Sequence, residues 1–273
     1  MRVSVLGSGS AGNATLVVSG TSCVLVDAGF SARDLTTRLE RVGVAPEAVD
    51  AIVITHDHAD HTRGMGVFAR RHRTPVYLTE GTRARCASLL KGEETTFSYR
   101  PGRPFKVGAF RVEPFLSVHD AVDPVGLALV DEESGLRLGI ATDLGRATAQ
   151  IRHALAGSDF LILEANHDPG LLHQGPYPSS VKSRIASSHG HLSNLAAARL
   201  ATELLHPRLA GIVLAHLSLE CNRPELARSV VGSALRRAGY RGCLAVASQE
   251  QPTELFDLTD LRRRAGPLQL SFL

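Results

Sequence analysis

Four potential metal ligands lie within six residues of this 273-residue chain, in the run His56-Asp57-His58-Ala59-Asp60-His61. The apolar run Ala51-Ile-Val-Ile-Thr55 leads directly into it, and such a run predicts a strand that is buried on both faces. Imidazole nitrogens and carboxylate oxygens bind Zn²⁺ well and also suit Mn²⁺ or Fe. The spacing therefore predicts a metal site where a buried strand ends. A polar loop with exposed histidines is the alternative, but it would explain neither the tight spacing nor the apolar lead-in.

The ligands of this hexapeptide are expected to point in two directions. On a continuing strand, the side chains of His56 and His58 would project to one side. The chain is then predicted to turn into a helix around residues 65–71. That turn would bring Asp60 and His61 to a second metal ion.

The hexapeptide is similar to the H-x-H-x-D-H signature of the metallo-β-lactamase superfamily, and Leu25-Val-Asp-Ala-Gly29 resembles an early strand and turn of that family. The resemblance implies three more ligands, each directly after an apolar strand. Taken singly, His119 or His216 could equally be a buried structural histidine. The implied site holds two divalent ions, Zn or Mn. One ion is bound by His56, His58 and His119, the other by Asp60, His61 and His216, and Asp143 bridges the two.

Two later segments, around Glu164 and Gly190-His191-Leu-Ser-Asn194, resemble loops that phosphodiesterases such as tRNase Z place beside the metals. The resemblance implies that Glu164 orients His191 and that His191 protonates the leaving group. Phosphodiester cleavage needs such a donor, because the expelled alkoxide is a poor leaving group and an imidazolium can protonate it. Taken alone, His191 could instead cap the helix predicted over residues 195–205, and Glu164 could be a surface strand end.

Over nearly its full length the chain resembles the YycJ/WalJ-type proteins, some of which are regarded as 5′→3′ exonucleases acting on DNA. The similarity includes Gly7-Ser-Gly-Ser-Ala-Gly-Asn13, residues 164–194 and Cys221-Asn222. The resemblance implies a dinuclear phosphodiesterase, a nuclease in which a metal-bridged hydroxide attacks phosphorus and Asp60 also accepts a proton. The spacings after His119 and Asp143 leave no room for the tRNA-gripping arm of tRNase Z or for a β-CASP domain, so tRNA 3′ ends are a disfavoured substrate.

Two other functions stay open at this point. A small-molecule hydrolase of the same fold, acting on a thioester, lactone or cyclic phosphodiester, would use identical metal ligands. A metal-free nucleic-acid-binding regulatory protein is the other alternative, but the full ligand set argues against it.

The run Gly7-Ser-Gly-Ser-Ala-Gly12 matches G-x-G-x-x-G, but a dinucleotide site would also need a helix to begin there. The strand-like Asn13-Ala-Thr-Leu-Val-Val18 follows instead, which predicts a tight turn. The turn could also present its amides to an anion. The candidates for binding substrate phosphates are Ser8, Ser10, Asn13, Lys182 and Arg184, although a solvated surface role suits the two basic residues equally well.

The elements that must position these residues indicate an α/β (α+β) fold. Three short strands over residues 2–26 predict an antiparallel meander, and a helix is expected at residues 32–42 after the N-cap Ser31. Strands and helices then alternate to the end of the chain. We expect one domain, residues 1–273, built as the αββα sandwich of two mixed β-sheets flanked by helices that the family resemblance implies. A single mixed sheet would fit the order of elements almost as well.

Composition restricts the function only weakly. The 30 Lys and Arg against 27 Asp and Glu permit an acidic partner without requiring one. With 5% aromatic residues and no Trp, stacking of bases gets little support. The family resemblance makes DNA the favoured nucleic-acid substrate over RNA. No signal-peptide pattern, no spanning apolar run and four scattered cysteines indicate a cytoplasmic protein without a membrane partner. The oligomeric state stays open.

Overall fold

The structure is a computed structural model that describes residues 1–265, and it contains two seven-stranded β-sheets. The strands are β1 (Arg2–Gly7), β2 (Ala14–Ser19), β3 (Ser22–Val26), β4 (Ala51–Val53), β5 (Val76–Leu78), β6 (Thr96–Ser98), β7 (Phe105–Val107), β8 (Phe110–Leu116), β9 (Val125–Asp131), β10 (Arg137–Ala141), β11 (Phe160–Glu164), β12 (Gly211–Ala215), β13 (Cys243–Val246) and β14 (Phe256–Asp257). The first sheet has the order β14-β1-β2-β3-β4-β5-β6 and the second the order β13-β12-β11-β10-β9-β8-β7.

Helices complete the described part of the chain. They are α1 (Ala32–Arg41), α2 (Ala59–Thr62), α3 (Met65–His72), α4 (Glu80–Arg85), α5 (Ala149–Leu155), α6 (Pro169–Gln174), α7 (Ser179–Ile185), α8 (Asn194–Glu203), α9 (Pro224–Arg237) and α10 (Leu258–Ala265), with 3₁₀ turns at Pro46–Ala48 and Ala87–Leu89. None of the helices within residues 1–265 is long and apolar enough to cross a membrane.

Three hydrophobic clusters show how the layers pack. The inner cluster joins the facing sides of both sheets, for example Val5 and Val17 of the first with Leu127 and Ile162 of the second. A second cluster packs α1 and α3 on the outer side of the first sheet. A third packs α5, α8 and α9 on the outer side of the second sheet. Because central strands such as β2 and β12 bury side chains on both faces, the sheets form the middle of an αββα sandwich, and the predicted fold class is confirmed.

The direction of the strands determines where loops meet. Strands β10, β11 and β12 are mutually parallel, and β8 runs in the same direction because β8 and β10 are both antiparallel to β9. In the first sheet, β3, β4 and β5 are parallel neighbours. The segments that follow β4, β8, β10, β11 and β12 carry the candidate ligands and proton donors, and they converge at one edge of the sandwich.

The predicted meander is present, since β1, β2 and β3 pair antiparallel, and Ser31 accepts a hydrogen bond from Asp34 N at the start of α1. The Gly7–Gly12 loop joins β1 to β2 as a turn, without the helix that a dinucleotide site would need. Other expectations differ in detail. Strand β4 ends at Val53, so His56 and His58 lie in a loop and not on a strand. Residues 166–194, for which no helix was predicted, contain α6 and α7.

Candidate metal centre

The candidate ligands come together although they are far apart in the sequence. Two triads of side chains each place their ligand atoms within 4.8 Å of one another. The first triad is His56, His58 and His119, and the second is Asp60, His61 and His216. These are the two groups that the family resemblance implies. The ligand atoms of Asp143, His56 and His61 also lie within 4.8 Å of one another. Since His56 belongs to the first triad and His61 to the second, Asp143 lies between the triads.

Hydrogen bonds to the protein determine which ring nitrogen each histidine of the first triad can offer. The Nε2 atom of His58 lies 2.9 Å from Asp120 O, and Nδ1 of His119 lies 3.0 Å from Gly190 O. Carbonyl oxygens only accept, so both of these ring nitrogens donate. If both rings are neutral, the other nitrogens carry no proton, yet Nδ1 of His58 and Nε2 of His119 face each other at 3.3 Å. A shared cation would explain that arrangement.

The histidines of the second triad are held by carboxylates. Nδ1 of His61 lies 2.8 Å from Asp27 Oδ2, and Nδ1 of His216 lies 2.9 Å from Glu164 Oε1. The Nε2 atoms of both rings face Asp60 Oδ2 at 3.5 Å. A carboxylate behind an imidazole fixes its tautomer and raises its basicity as a ligand. The second triad thus has the outer support typical of metal-binding histidines.

The donor atoms themselves fit divalent metal ions. Nε2 of His56, Nε2 of His216 and Oδ2 of Asp143 are buried and have no hydrogen-bond partner among residues 1–265. A buried polar atom without a partner costs about 1–3 kcal/mol. All three atoms belong to the grouped ligands, and coordination of a cation would satisfy them.

Burial and charge divide the histidines into two classes. Burial, together with neighbouring imidazoles, lowers the pKa of His56 well below its ordinary value, and burial lowers the pKa of His119. Burial alone would also lower the pKa of His216, but Asp143 and other carboxylates raise it to about 10. The pKa of His61 is likewise raised well above its ordinary value by Asp143 and Asp27, against the effect of burial. In the metal-free protein, the carboxylates therefore hold protons on His61 and His216.

Glu164 and His191 lie beside the triads as a hydrogen-bonded pair. Glu164 is fully buried, and its Oε1 accepts from Nδ1 of His191 at 2.7 Å as well as from His216. Its Oε2 accepts from the backbone amides of Leu144 and Leu192. Burial would raise the pKa of Glu164, but the charges and hydrogen bonds of His191 and His216 lower it to about 2. The carboxylate stays ionised at neutral pH and leaves only Nε2 of His191 free for a reactant.

Three residues at strand ends adopt left-handed backbone conformations that are uncommon outside glycine. The φ angles are 63° at Asp27, 54° at Asp143 and 54° at His216. Each residue comes directly after a strand or one residue later, and each has its side chain among the candidate ligands or their supports. Strained backbone of this kind is concentrated at functional sites.

The glycine loop, residues 7–13, supports the second triad from behind. Ser8 Oγ accepts from His216 N at 2.8 Å and donates to Asn13 Oδ1. Asn13 Nδ2 donates to Asp60 Oδ2 at 3.1 Å. Ser8 and Asn13 are buried and contact the candidate ligands. Ser10 is exposed and lines the cavity above the candidate metal centre.

That cavity has a volume of about 250 Å³ and its lining includes His58, His119, Asp143 and His191. Of the two basic residues expected to bind phosphate, Arg184 lines the cavity and is exposed. The Nζ atom of Lys182 instead donates to His173 O at 2.8 Å, at the end of α6.

Sequence reasoning did not assign a role to Asp27 or Thr55. Asp27 Oδ1 accepts from Thr55 N at 2.8 Å, and the Thr55 hydroxyl contacts both carboxylate oxygens of Asp27. The signal that could have found Asp27 is its position: an acidic residue directly after β3, the strand next to β4.

Comparison with known proteins agrees with this geometry. A family model described as "Beta-lactamase superfamily domain" matches residues 23–214. The chain is similar to "Exodeoxyribonuclease YycJ" of Bacillus anthracis, with 34% identity covering 88% of this chain and 91% of that protein. It is equally similar, at 34% identity, to "Exodeoxyribonuclease WalJ" of Streptococcus pneumoniae, with 87% and 89% covered. Among solved structures, the metallo-β-lactamase fold protein YhfI of Bacillus subtilis aligns with a TM-score of 0.70 at 19% identity, over 92% of this chain and 98% of that one, which supports the fold alone.

Proposed function

The chain belongs to the β-lactamase superfamily and, within it, to the YycJ/WalJ family of metal-dependent hydrolases, and on that premise we propose that it is a dinuclear phosphodiesterase that degrades DNA as a 5′→3′ exonuclease. The observation that carries the proposal is the Glu164–His191 pair beside the two triads. A hydrolase of good leaving groups has little use for a positioned proton donor, whereas cleavage of a phosphodiester requires one.

The proposed metal centre uses the chain's own ligands. His56, His58 and His119 would hold one divalent ion, Zn or Mn, Asp60, His61 and His216 the other, and Asp143 would contact both. When bound, the two ions would lower the pKa of a bound water toward neutrality and would neutralise charge on the phosphoryl oxygens.

Asp60 and His191 move the protons in this proposal. The side chain of Asp60 is 19% exposed, and its carboxylate can both bind a metal ion and accept the proton of the attacking water. The side chain of His191 is 21% exposed and lines the cavity. Its Nδ1 is occupied by Glu164, so Nε2 donates the proton to the departing oxygen.

Substrate contacts complete the proposal. Arg184 and Ser10 line the cavity and would position backbone phosphates. Ser8 and Asn13 would act on the substrate indirectly by holding His216 and Asp60. The DNA preference comes from the names of the two relatives, since the residues that bind phosphate would bind RNA as well.

The test is cleavage of 5′- and 3′-labelled single- and double-stranded DNA and RNA, with Zn²⁺ and with Mn²⁺. We expect mononucleotides to appear from the 5′ end of DNA. Release from the 3′ end would overturn the polarity, and turnover of thioesters or lactones without any cleavage of nucleic acid would overturn the substrate class.

Two variants test the roles of the residues. His58→Ala should lose metal and activity together. His191→Ala should keep its metal, cleave DNA about 10²–10⁴-fold more slowly, and lose far less activity on a nitrophenyl phosphodiester, whose leaving group needs no proton. The exposed His153 of α5 offers a matched control, since His153→Ala removes an imidazole that is not among the candidate ligands. Equal losses on both esters in His191→Ala would contradict the proton-donor role.

A further inference from the structure

A groove of about 390 Å³ lies beside the metal cavity, between the loop after β10 and the start of α8. We call it the arginine groove. Its charged lining residues are Arg146, Arg152, Arg199 and Glu203, and its apolar lining includes Leu195. Neither the proposed metal centre nor the proton transfer uses any of these residues.

The arginines of the groove differ in what holds them. Arg152 donates to Glu203 Oε2 at 2.5 Å and to Ala147 O at 2.8 Å, so its charge is compensated within the protein. The side chains of Arg146 and Arg199 are exposed, and neither guanidinium makes a hydrogen bond or ion pair with any residue in the described range 1–265. The groove therefore presents two free guanidinium groups and a net positive charge.

The arginine groove adjoins the metal cavity through the backbone. Gly145 lines the groove two residues after Asp143, which places its Cα within about 8 Å of that ligand. A methyl group on Gly145 would come within 2.3 Å of Ser188 O and 2.8 Å of Gly190 N. Since Gly190 lines the metal cavity, a single loop of backbone separates the two depressions. Leu192 also lines the groove, and the residue before it in the sequence, His191, lines the metal cavity.

The groove also has features that suit a chain of alternating sugars and phosphates. The first turn of α8, a ten-residue helix, lies at the groove, where the helix dipole favours anions. The amides of Asn194 and Ala196 are already bonded to His167 O and Ser193 Oγ, so the guanidinium groups supply the direct contacts. Leu195 is 63% exposed at the same place and offers an apolar surface to a sugar or base. Guanidinium groups bind phosphates through paired hydrogen bonds, and such contacts supply affinity without sequence preference.

We propose that the arginine groove binds the sugar–phosphate backbone of the substrate strand next to the phosphate being cleaved, with Arg146 and Arg199 each contacting one phosphate. This inference rests on the proposed nuclease function and extends it from the bond broken to the strand held.

The experiment compares Arg146→Gln, Arg199→Gln and the double variant with Arg33→Gln, which removes an exposed charge from α1. The substrates are oligonucleotides lengthened by one nucleotide at a time at either end, together with bis(p-nitrophenyl) phosphate. Binding is measured by fluorescence anisotropy of phosphorothioate-linked oligonucleotides at several salt concentrations.

In the wild-type holoenzyme, we expect KM to fall as the strand is extended on one of its two sides. The double variant should lose that gain, with equal effect on all sequences. The slope of log Kd against log salt should shrink by about 0.7 for each phosphate of a single strand that an arginine no longer neutralises. Metal content and turnover of bis(p-nitrophenyl) phosphate should match those of Arg33→Gln.

The possible failures are separable. If the wild-type protein cleaves oligonucleotides and the double variant keeps the length dependence and salt slope of Arg33→Gln, the groove proposal is wrong and the nuclease proposal stands. If oligonucleotides bind with the expected reduction in slope but are not cleaved, the groove proposal stands and the nuclease proposal is wrong. Absence of both binding and cleavage in the wild type overturns both.

Discussion

Asn13 makes more contacts to the candidate ligands than any other residue of the glycine loop. Its Nδ2 donates to Asp60 Oδ2 and to Gly9 O, and its Oδ1 accepts from Ser8 Oγ and Gly9 N. Through these bonds it joins the turn between β1 and β2 to the carboxylate of the second triad. A short amide side chain suits the position because it donates to one group and accepts from another at the same time.

Asn13→Ala should weaken metal binding at the second triad by about 10–100-fold, because Asp60 loses its orienting donor. Competition with a chromogenic chelator measures the affinity for the first ion and then for the second. The matched control is Ser10→Ala, an exposed residue of the same loop that should leave both affinities unchanged. Identical affinities in the Asn13 variant would show that Asp60 is oriented without it.

The pKa of His216 is raised to about 10, so we expect metal binding to depend on pH. Because the value lies above neutrality, the metal-free ring carries a proton at pH 7, and a metal ion can bind only after displacing it. Metal affinity should therefore rise with pH, from neutrality up to about pH 10, and binding at pH 7 should release protons. Calorimetric titration of metal in two buffers with different ionisation enthalpies measures the release. A binding enthalpy independent of the buffer would mean that the ligands are already unprotonated.

At the scale of elements, the loops that follow β3, β4 and β1 interlock around Gly29. Asn13 N donates to Asp60 O at 2.7 Å, and Gly29 N donates to Asn13 O at 2.9 Å. A methyl group on Gly29 would come within 1.6 Å of Asp60 O, a backbone atom that cannot move without shifting the hexapeptide. The close approach explains why glycine occupies this position after Asp27.

Gly29→Ala should destabilise the protein by about 3 kcal/mol or more, at the upper end of overpacking effects, since backbone must yield. Chemical unfolding with and without metal measures the change in the free energy of unfolding. Gly232→Ala is the control, because within α9 the nearest atoms to the added methyl are side-chain ends at 3.1 and 3.2 Å. A near-neutral Gly29 variant would show that the loops can separate without cost.

At the scale of the whole molecule, the candidate metal centre draws residues from both sheets. The hexapeptide follows β4 of the first sheet, while His119, Asp143 and His216 follow β8, β10 and β12 of the second. Ions bound there would link the two halves of the sandwich at one edge, in addition to the apolar core between the sheets. Ligands that bind only the folded state stabilise it by mass action.

Removal of metal with EDTA should lower the melting temperature, and Zn²⁺ or Mn²⁺ should restore it in a concentration-dependent manner. At a free metal concentration about 100 times the Kd, one site contributes about 2.7 kcal/mol. His58→Ala should show a smaller shift, since it lacks a ligand of one triad only, and His153→Ala should show the full shift. An unchanged melting temperature after verified metal removal would contradict stabilisation by the ions.

The order of elements and the positions of the ligands could be predicted from the sequence, because both depend on local patterns. Apolar runs predicted strands such as β4 and β12. His56 and His216 directly follow these runs and were therefore identified as candidate ligands. The hexapeptide indicated metal chemistry because four potential ligands at that spacing have little other use. Where the pattern is weak, as in residues 166–194, the helices α6 and α7 were missed, since polar surface helices carry little periodic signal.

Only the tertiary structure decided which residues stand behind the ligands. Asp27 and Gly190 contact His61 and His119 through hydrogen bonds between segments distant in sequence, and no local pattern encodes such contacts. All three of Ser8, Asn13 and Arg184 were predicted to bind substrate phosphates. In the structure Asn13 and Ser8 contact candidate ligands instead, and only Arg184 of the three lines the cavity. The type of a side chain and its neighbours in sequence determine what chemistry it can do. Which partner it meets depends on how the sheets pack, and that is a property of the whole fold.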